Sequence, residues 1–306
     1  MKSPLIALLA FQVLTAQQAG QRPAQENDQA RFSTEVTRVN ILFTVSDKKG
    51  RFVTDLNKDD FEILEEKKPQ KILEFSAESN LPLRIAILID TSNSIRDRFR
   101  FQQEAAIDFI NSVIRPDEDK AIVVSFDTAA ELVADLTGDA PKLAESIRNL
   151  RPGGGTSLYD AIFFACRDKL VVDKPLYKFR RAMVILSDGD DNQSRYSREQ
   201  ALEMAQRADT VIYTISTNIS GIESEGDKVM KYLAKETGGQ SFFPFKAQDL
   251  AQSFENIANE LRRQYNVFYR PEPLVTDGLW HPIQLRVKDR KDLIVRARQG
   301  YYAPKM

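Results

Sequence analysis

Between residues 83 and 245 the apolar residues fall into two rhythms. Continuous runs at LRIAILID (83–90), DKAIVVSF (119–126), RRAMVILS (180–187) and DTVIYTIS (209–216) read as strands buried on both faces, with GQSFFPF (239–245) as a further one. Between the runs, apolar residues recur every three or four positions. That spacing predicts helices over about 95–114, 157–170, 197–208, 226–237 and 247–263. In the first of these, Ile95, Phe99, Ala106, Phe109, Ile110 and Val113 share one face. The pair Gly238-Gly239 ends the fourth. Strands alternating with helices predict an α/β fold, a doubly wound and mostly parallel sheet covered on both sides. AELVADL (130–136) reads as an edge strand formed through a hairpin.

The flanks have a different rhythm. Val39, Ile41, Phe43 and Val45 alternate with other residues, as in a half-buried strand, and SDKKGR then turns the chain. DFEILEE (60–66) and QKILEFS (70–76) read as two more short strands around KKPQ. After Arg263, QYNVFYRP, LWHPIQLRVK and DLIVRARQGYY are strand-like, with KDRKD as the turn between the last two. The segments 35–79 and 264–306 are each too small to bury a core alone. They are expected to form one smaller, discontinuous β domain into which the α/β domain, 80–263, is inserted.

The N-terminus has one early lysine, an apolar run from Pro4 to Ala16, and then polar residues. This is the layout of a secretory signal peptide, expected over 1–19 with cleavage after Ala16 or Ala19. Residues 20–34 are polar and aperiodic, as in a flexible leader. The mature chain is therefore expected to be exported, periplasmic or extracellular at the cell surface, without an integral membrane segment. The full chain has 306 residues, 42% of them hydrophobic and 28% charged, with a formal net charge of -1. Nothing in that balance favours nucleic acid or an anionic membrane as partner. Cys166 and His281 are each the sole residue of their type. Cys166 is expected to be a buried helical thiol and His281 a structural strand residue, so neither supports a disulfide or a histidine-based site.

Three loops carry the candidate chemistry. The first buried strand runs into DTSNS, which presents Asp90, Ser92 and Ser94. A glycine-rich loop, RPGGGTS, ends in Thr156 and Ser157 before a helix. VILSDGDDN gives Asp188 directly after another buried strand. In open α/β sheets, sites form beyond the carboxyl ends of the strands, where strand order reverses. Asp90, Ser92, Ser94, Thr156 and Asp188 offer hard oxygen donors without His or Cys. Such a set makes Mg²⁺, Mn²⁺ or Ca²⁺ good candidates and zinc or copper poor ones. The same hydroxyls are also good helix caps. Asp190, Asp191 and Asn192 are expected to form a solvated acidic turn, with a site rim or second cation site as the alternative.

DTSNS, GGGTS and SDG, in that order and in this context, resemble a von Willebrand factor A (VWA) domain over residues of about 80–263. The resemblance implies a metal-ion-dependent adhesion site with Asp90, Ser92, Ser94, Thr156 and Asp188 as ligands. It implies one divalent cation, Mg²⁺ first with Mn²⁺ or Ca²⁺ possible, and a protein partner whose Asp or Glu completes the coordination. The flanks resemble an acidobacterial-type VWFA-related subgroup. Val45, Asp47, Gly50, Leu56, Asp60 and Phe61 match its motifs before the A domain, and Gly300 to Pro304 match its GYYAP-like tail. The expected function is an exported, non-enzymatic protein-binding module. Two alternatives stay open: an assembly factor of a cell-envelope complex stabilised by the metal, and a metal-dependent hydrolase.

Overall fold

The computed structural model describes residues 38–305 except 78–80, 175, 219, 245 and 246. The leader expected over 1–19 and the segment 20–34 lie outside the described residues. Alternating apolar residues carry the N-terminal flank into β1 (Val39–Asp47), β2 (Phe61–Glu65), β3 (Lys68–Gln70) and β4 (Ile72–Ser76). KKPQ was read as lying between two strands, but Lys68–Gln70 form a strand that pairs with β2. The reversal before it falls at Glu66 and Lys67, whose φ angles of 49° and 69° make a tight hairpin turn.

The α/β region follows as β5 (Leu83–Asp90), α1 (Phe99–Val113), β6 (Lys120–Phe126), β7 (Ala130–Thr137), α2 (Ala140–Arg148) and α3 (Leu158–Phe164). It continues through β8 (Arg180–Ser187), α4 (Arg198–Arg207), β9 (Thr210–Ser216), α5 (Glu225–Thr237), β10 (Ser241–Phe242) and α6 (Ala247–Arg262). The chain ends in β11 (Tyr265–Tyr269), β12 (Trp280–Val287), β13 (Leu293–Ala297) and β14 (Gly300–Tyr302). A 3₁₀ turn over Asn93–Arg98 leads into α1, and a π-helical turn over Ala165–Leu170 prolongs α3.

The sheet of the α/β region has the order β10-β9-β8-β5-β6-β7, parallel throughout except for the antiparallel edge strand β7. β5, β8 and β9 are buried along their whole lengths. Their alternate residues feed two cores. Leu83, Ile85, Ile87 and Ile89 face α1, α2 and α6, and Ala86 and Leu88 face α3, α4 and α5. The fold is thus the expected doubly wound sheet. Helix α2 was not expected from the sequence. It buries only Leu143, Ala144 and Ile147, and its start is set by the Asp139 side chain accepting from the Lys142 amide at 3.0 Å.

The flanks interleave in two antiparallel sheets, β13-β1-β11-β4 and β14-β12-β2-β3, each mixing strands from both chain ends. Their inner faces share one core. Phe43, Phe61, Phe75 and Tyr265 form its aromatic centre, with Phe43 and Tyr265 stacked at 5.3 Å. DLIVRARQGYY, read as one strand, divides between the two sheets as β13 and β14. His281 is buried beside Glu65, with Nε2 3.2 Å from Asp277. The described residues from 38 onward fall in one compact unit. Glu260 of α6 helps to hold it, accepting from Thr44 of β1 at 3.2 Å, from the Tyr213 hydroxyl at 3.3 Å and from Arg296 at 3.3 Å.

At the amino ends of the parallel strands, the fully buried Asp119 joins β5, α1 and α6. It accepts from the Leu83 amide at 2.7 Å, from the Arg115 amide at 2.9 Å, and from the guanidinium groups of Arg115 and Arg262. Burial pushes this carboxyl up, but those hydrogen bonds outweigh it and hold it at about 2. An unfolded aspartate titrates near ~3.9, so the stabilisation is complete above that value and is lost as pH falls towards 2. Asp119→Asn is expected to cost about 2–3 kcal/mol at pH 7 in urea unfolding, with both guanidinium groups partly exposed. The difference from wild type should shrink as pH falls below 4; a gap that stays constant to pH 2 would show that the charge is not responsible.

Candidate functional site

The switch point of the sheet lies between β5 and β8. The chain leaves β5 towards α1 on one face and leaves β8 towards α4 on the other, which opens a crevice at their carboxyl ends. Asp90 ends β5 there with no exposed surface. Its Oδ1 accepts from the Ser92 amide at 2.8 Å and its Oδ2 from the Ser187 hydroxyl at 2.6 Å. One carboxylate thus orders the first loop and ties the end of β5 to the end of β8. Ser92 Oγ lies 2.9 Å from Ser94 Oγ, and the exposed Ser94 hydroxyl donates to Asp188 Oδ2 at 2.7 Å.

The glycine-rich loop is stitched to the first through its backbone. The Gly153 amide donates to the Thr91 carbonyl at 2.6 Å, and both the amide and the side chain of Asn93 donate to the Gly154 carbonyl. Thr156 is buried and faces the third loop. Its amide donates to Asn192 Oδ1 at 3.0 Å, and its carbonyl accepts from the Asn192 and Gln193 amides. The third loop packs tightly on the start of α5. Gly189 has φ +83°, and a Cβ there would lie 2.2 Å from the Gly226 carbonyl oxygen, so both conformation and space require glycine.

The structure therefore brings Asp90, Ser92, Ser94 and Asp188 together in one hydrogen-bonded group. Thr156 is anchored beside it, and among the described residues no hydrogen bond joins its hydroxyl to the other four. Ser187 was not singled out from the sequence, although it bridges to Asp90. Its position as the last residue of a buried strand next to Asp188 was the available signal. The reading of 190–192 as a solvated acidic turn needs correction in part. Asp190 is exposed, but Asp191 accepts from the Tyr159 amide at 3.1 Å and from the Ser194 hydroxyl at 2.6 Å, and Asn192 holds Thr156. Those two side chains fasten the third loop to α3 and to the glycine-rich loop.

The metal expectation is overturned. Among the described residues there is no group of three or more His, Cys, Asp or Glu side chains that could hold a metal ion. The loop cluster has two carboxylates, Asp90 and Asp188, and hydroxyl groups already committed to them. The oxygens of both carboxylates already accept hydrogen bonds from the Ser92 amide and the Ser94 and Ser187 hydroxyls, and the cluster falls short of such a group. A metal-ion-dependent adhesion site and a stabilising metal are both set aside on this ground. So are a metal-assisted hydrolase and a partner Asp or Glu completing a coordination shell.

What remains is a negative face. Burial raises the Asp90 carboxyl to about 6 against hydrogen bonds from Ser187 and Ser92, and the charge of Asp188 adds to the rise. Burial also raises Asp190, again with the charges of Asp188 and Asp227 adding. Among the described residues no Lys or Arg forms an ion pair with Asp90, Asp188, Asp190 or Asp191. Asp90 in its charged form thus opposes folding. Its contribution is most favourable below about pH 4 and worsens as pH rises through 6. Asp90→Asn removes the buried charge and keeps an acceptor for the Ser92 amide, but places an N–H donor where Oδ2 accepts from Ser187. The fall in stability of wild type between pH 4 and pH 7 is expected to be largely absent in Asp90→Asn, read by thermal unfolding at both pH values. A fall of the same size in the variant would contradict this reading.

Residues 85–190 match the family described as von Willebrand factor type A domain. The human von Willebrand factor A domain-containing protein 3B is 29% identical over 172 residues, which span 54% of this chain and 12% of that protein. The solved von Willebrand factor type A structure from Catenulispora acidiphila aligns with TM-score 0.52 at 15% identity, covering 74% of this chain and 67% of that one. Proximal thread matrix protein 1 from the mussel byssus, solved with a zinc-occupied MIDAS motif, aligns with TM-score 0.52 at 17% identity, covering 63% and 48%. At such identities the structural likeness shows the fold alone. No comparison supports the acidobacterial-type subgroup. The match of 85–190, with the strand order and the loop order, identifies a von Willebrand factor A domain within the α/β region of this chain.

Proposed function

We propose that the chain is a non-catalytic recognition module whose switch-point face binds a partner protein through a lysine or arginine. The observation that carries this reading is the uncompensated acidic group of Asp188 and Asp190 above the buried Asp90, with the exposed Ser94 hydroxyl beside it. A bound cation would reverse the sign of this face and attract a carboxylate. Without one, the face attracts an ammonium or guanidinium, which can donate to the free lone pairs of Asp188 and Ser94. The loops are held by hydrogen bonds to one another, so little ordering entropy opposes binding. No catalytic role is proposed. The chain's sole histidine lies in the flanking sheets, away from any hydroxyl of the cluster.

Export belongs to the same proposal. It rests on the single early lysine, the apolar run from Pro4 to Ala16 and the polar residues that follow. Among the described residues no helix is long and apolar enough to cross a membrane.

The reading is tested by probing an array of surface peptides with the purified protein in EDTA. Lys- or Arg-containing peptides are expected to bind. Raising salt from 50 mM to 0.5 M should weaken binding, and Asp188→Asn should weaken it by roughly tenfold, as for loss of one charge-assisted hydrogen bond. Preference for acidic peptides, or indifference to Asp188→Asn, would overturn it.

A further inference from the structure

A band of tyrosine and arginine side chains leads away from the acidic loops across α4. Tyr159, at the start of α3, is half-buried beside the third loop, its amide donating to Asp191. Burial raises its phenol, Asp191 raises it further, Arg198 opposes, and Glu199 and Asp190 add to the rise. Arg198 opens α4 and lies over the Tyr232 ring of α5, 4.8 Å from its centroid. Arg207 closes α4 and lies over the Tyr302 ring of β14, 4.0 Å from its centroid. Tyr302 in turn lies within electrostatic reach of Tyr232. Each member thus borders the next, from Asp190 to Tyr302.

We propose that this band docks an extended, proline-rich segment of a partner protein, with a lysine or arginine at the head of the segment seated on the acidic loops. The inference rests on the cation reading of those loops and adds the kind of chain that carries the cation. Charge sets the order of the segment. Asp188 and Asp190 have no ion-pair partner among the described residues, whereas Glu199 and Glu203 pair with Arg198 and Arg207 at 2.7 and 2.8 Å. An acidic end therefore adjoins a neutral aromatic band, which fits one cationic head on an uncharged segment and disfavours a polybasic or acidic one. Hydrogen bonding sets the backbone. The Tyr159 and Tyr302 hydroxyls make no hydrogen bond to another described residue, and phenols and guanidinium groups are donors. A proline-rich chain presents carbonyl acceptors with few N–H groups to satisfy, and its preformed extended helix docks on aromatic surfaces at low entropic cost. Along the helix axis Arg198 and Arg207 are about 14 Å apart, the reach of about five residues of such a chain. Tyr232 is 37% exposed and the two arginine side chains 41% each, so the band is accessible.

The test is calorimetric titration of the full chain, in EDTA, with three octapeptides. One has arginine at its head followed by four prolines among alanines, one replaces each proline by alanine, and one replaces the arginine by alanine. Saturable binding of the first is expected, about tenfold tighter than either of the others. Tyr232→Ser alters an exposed side chain and should weaken the first peptide about fivefold while leaving the proline-free peptide unchanged. Asp188→Asn should weaken both arginine peptides alike. Equal affinity of the proline-rich and proline-free peptides, or indifference of the first to Tyr232→Ser, overturns the inference; if Asp188→Asn still weakens both, the cation reading stands without it. A proline preference that depends on Tyr232 but not on Asp188 supports the band and overturns the cation reading. Absence of saturable binding by the first peptide overturns the inference, as does saturable binding of maltohexaose lost in Tyr232→Ser, which would assign the band to a glycan.

Discussion

The architecture at the loop end of the parallel sheet depends on one buried carboxylate. Asp90 leaves the central strand at the point where the sheet reverses its winding, and it has no contact with solvent. A side chain in that position must spend its oxygens on partners within the fold. It does so on the Ser92 amide, which bends the first loop, and on the Ser187 hydroxyl, which closes the gap between β5 and β8. The other loops then have a fixed edge to join. Gly153 and Gly154 pair with the first loop, Asn192 carries the glycine-rich loop to the third, and Gly189 lets the third loop lie against α5.

The two ends of the parallel sheet use aspartate in opposite ways. At the amino ends, Asp119 is surrounded by guanidinium groups and amides and titrates at about 2, so its charge favours the fold. At the carboxyl ends, Asp90 lies near Asp188, has no ion-pair partner among the described residues, and titrates at about 6. The stability lost at the loop end is offset by the apolar burial of β5, β8 and β9 and by ties such as Asp119 and Glu260.

The parts legible in the sequence were those whose signal is local or repeated. β5, β8 and β9 are continuous apolar runs because both of their faces meet helices, and they were readable as strands for that reason. The three loops were readable from their residue order. Helix α2 was missed because it is short and buries only three side chains, although Asp139 and Pro141 mark its start. The division of the last apolar run between two sheets was not readable, since it depends on partners in β1 and β12 far away along the chain. The same limit applies at the site. Residue types in DTSNS and SDG suggested a cation, but where the hydroxyl of Ser94 or Ser187 donates is a tertiary fact. Those donations leave a cluster of two carboxylates, and among the described residues no group of three or more His, Cys, Asp or Glu side chains forms there.

The central claim is that the switch-point face is organised by its own hydrogen bonds and acts as an acidic surface without a bound ion. Its most direct test is a calorimetric titration of chelator-stripped protein with Mg²⁺ and with Mn²⁺ at pH 7, on wild type and on Asp188→Asn. The account predicts no saturable heat at millimolar ion in either protein. A saturable one-to-one site in wild type that disappears in Asp188→Asn would contradict it.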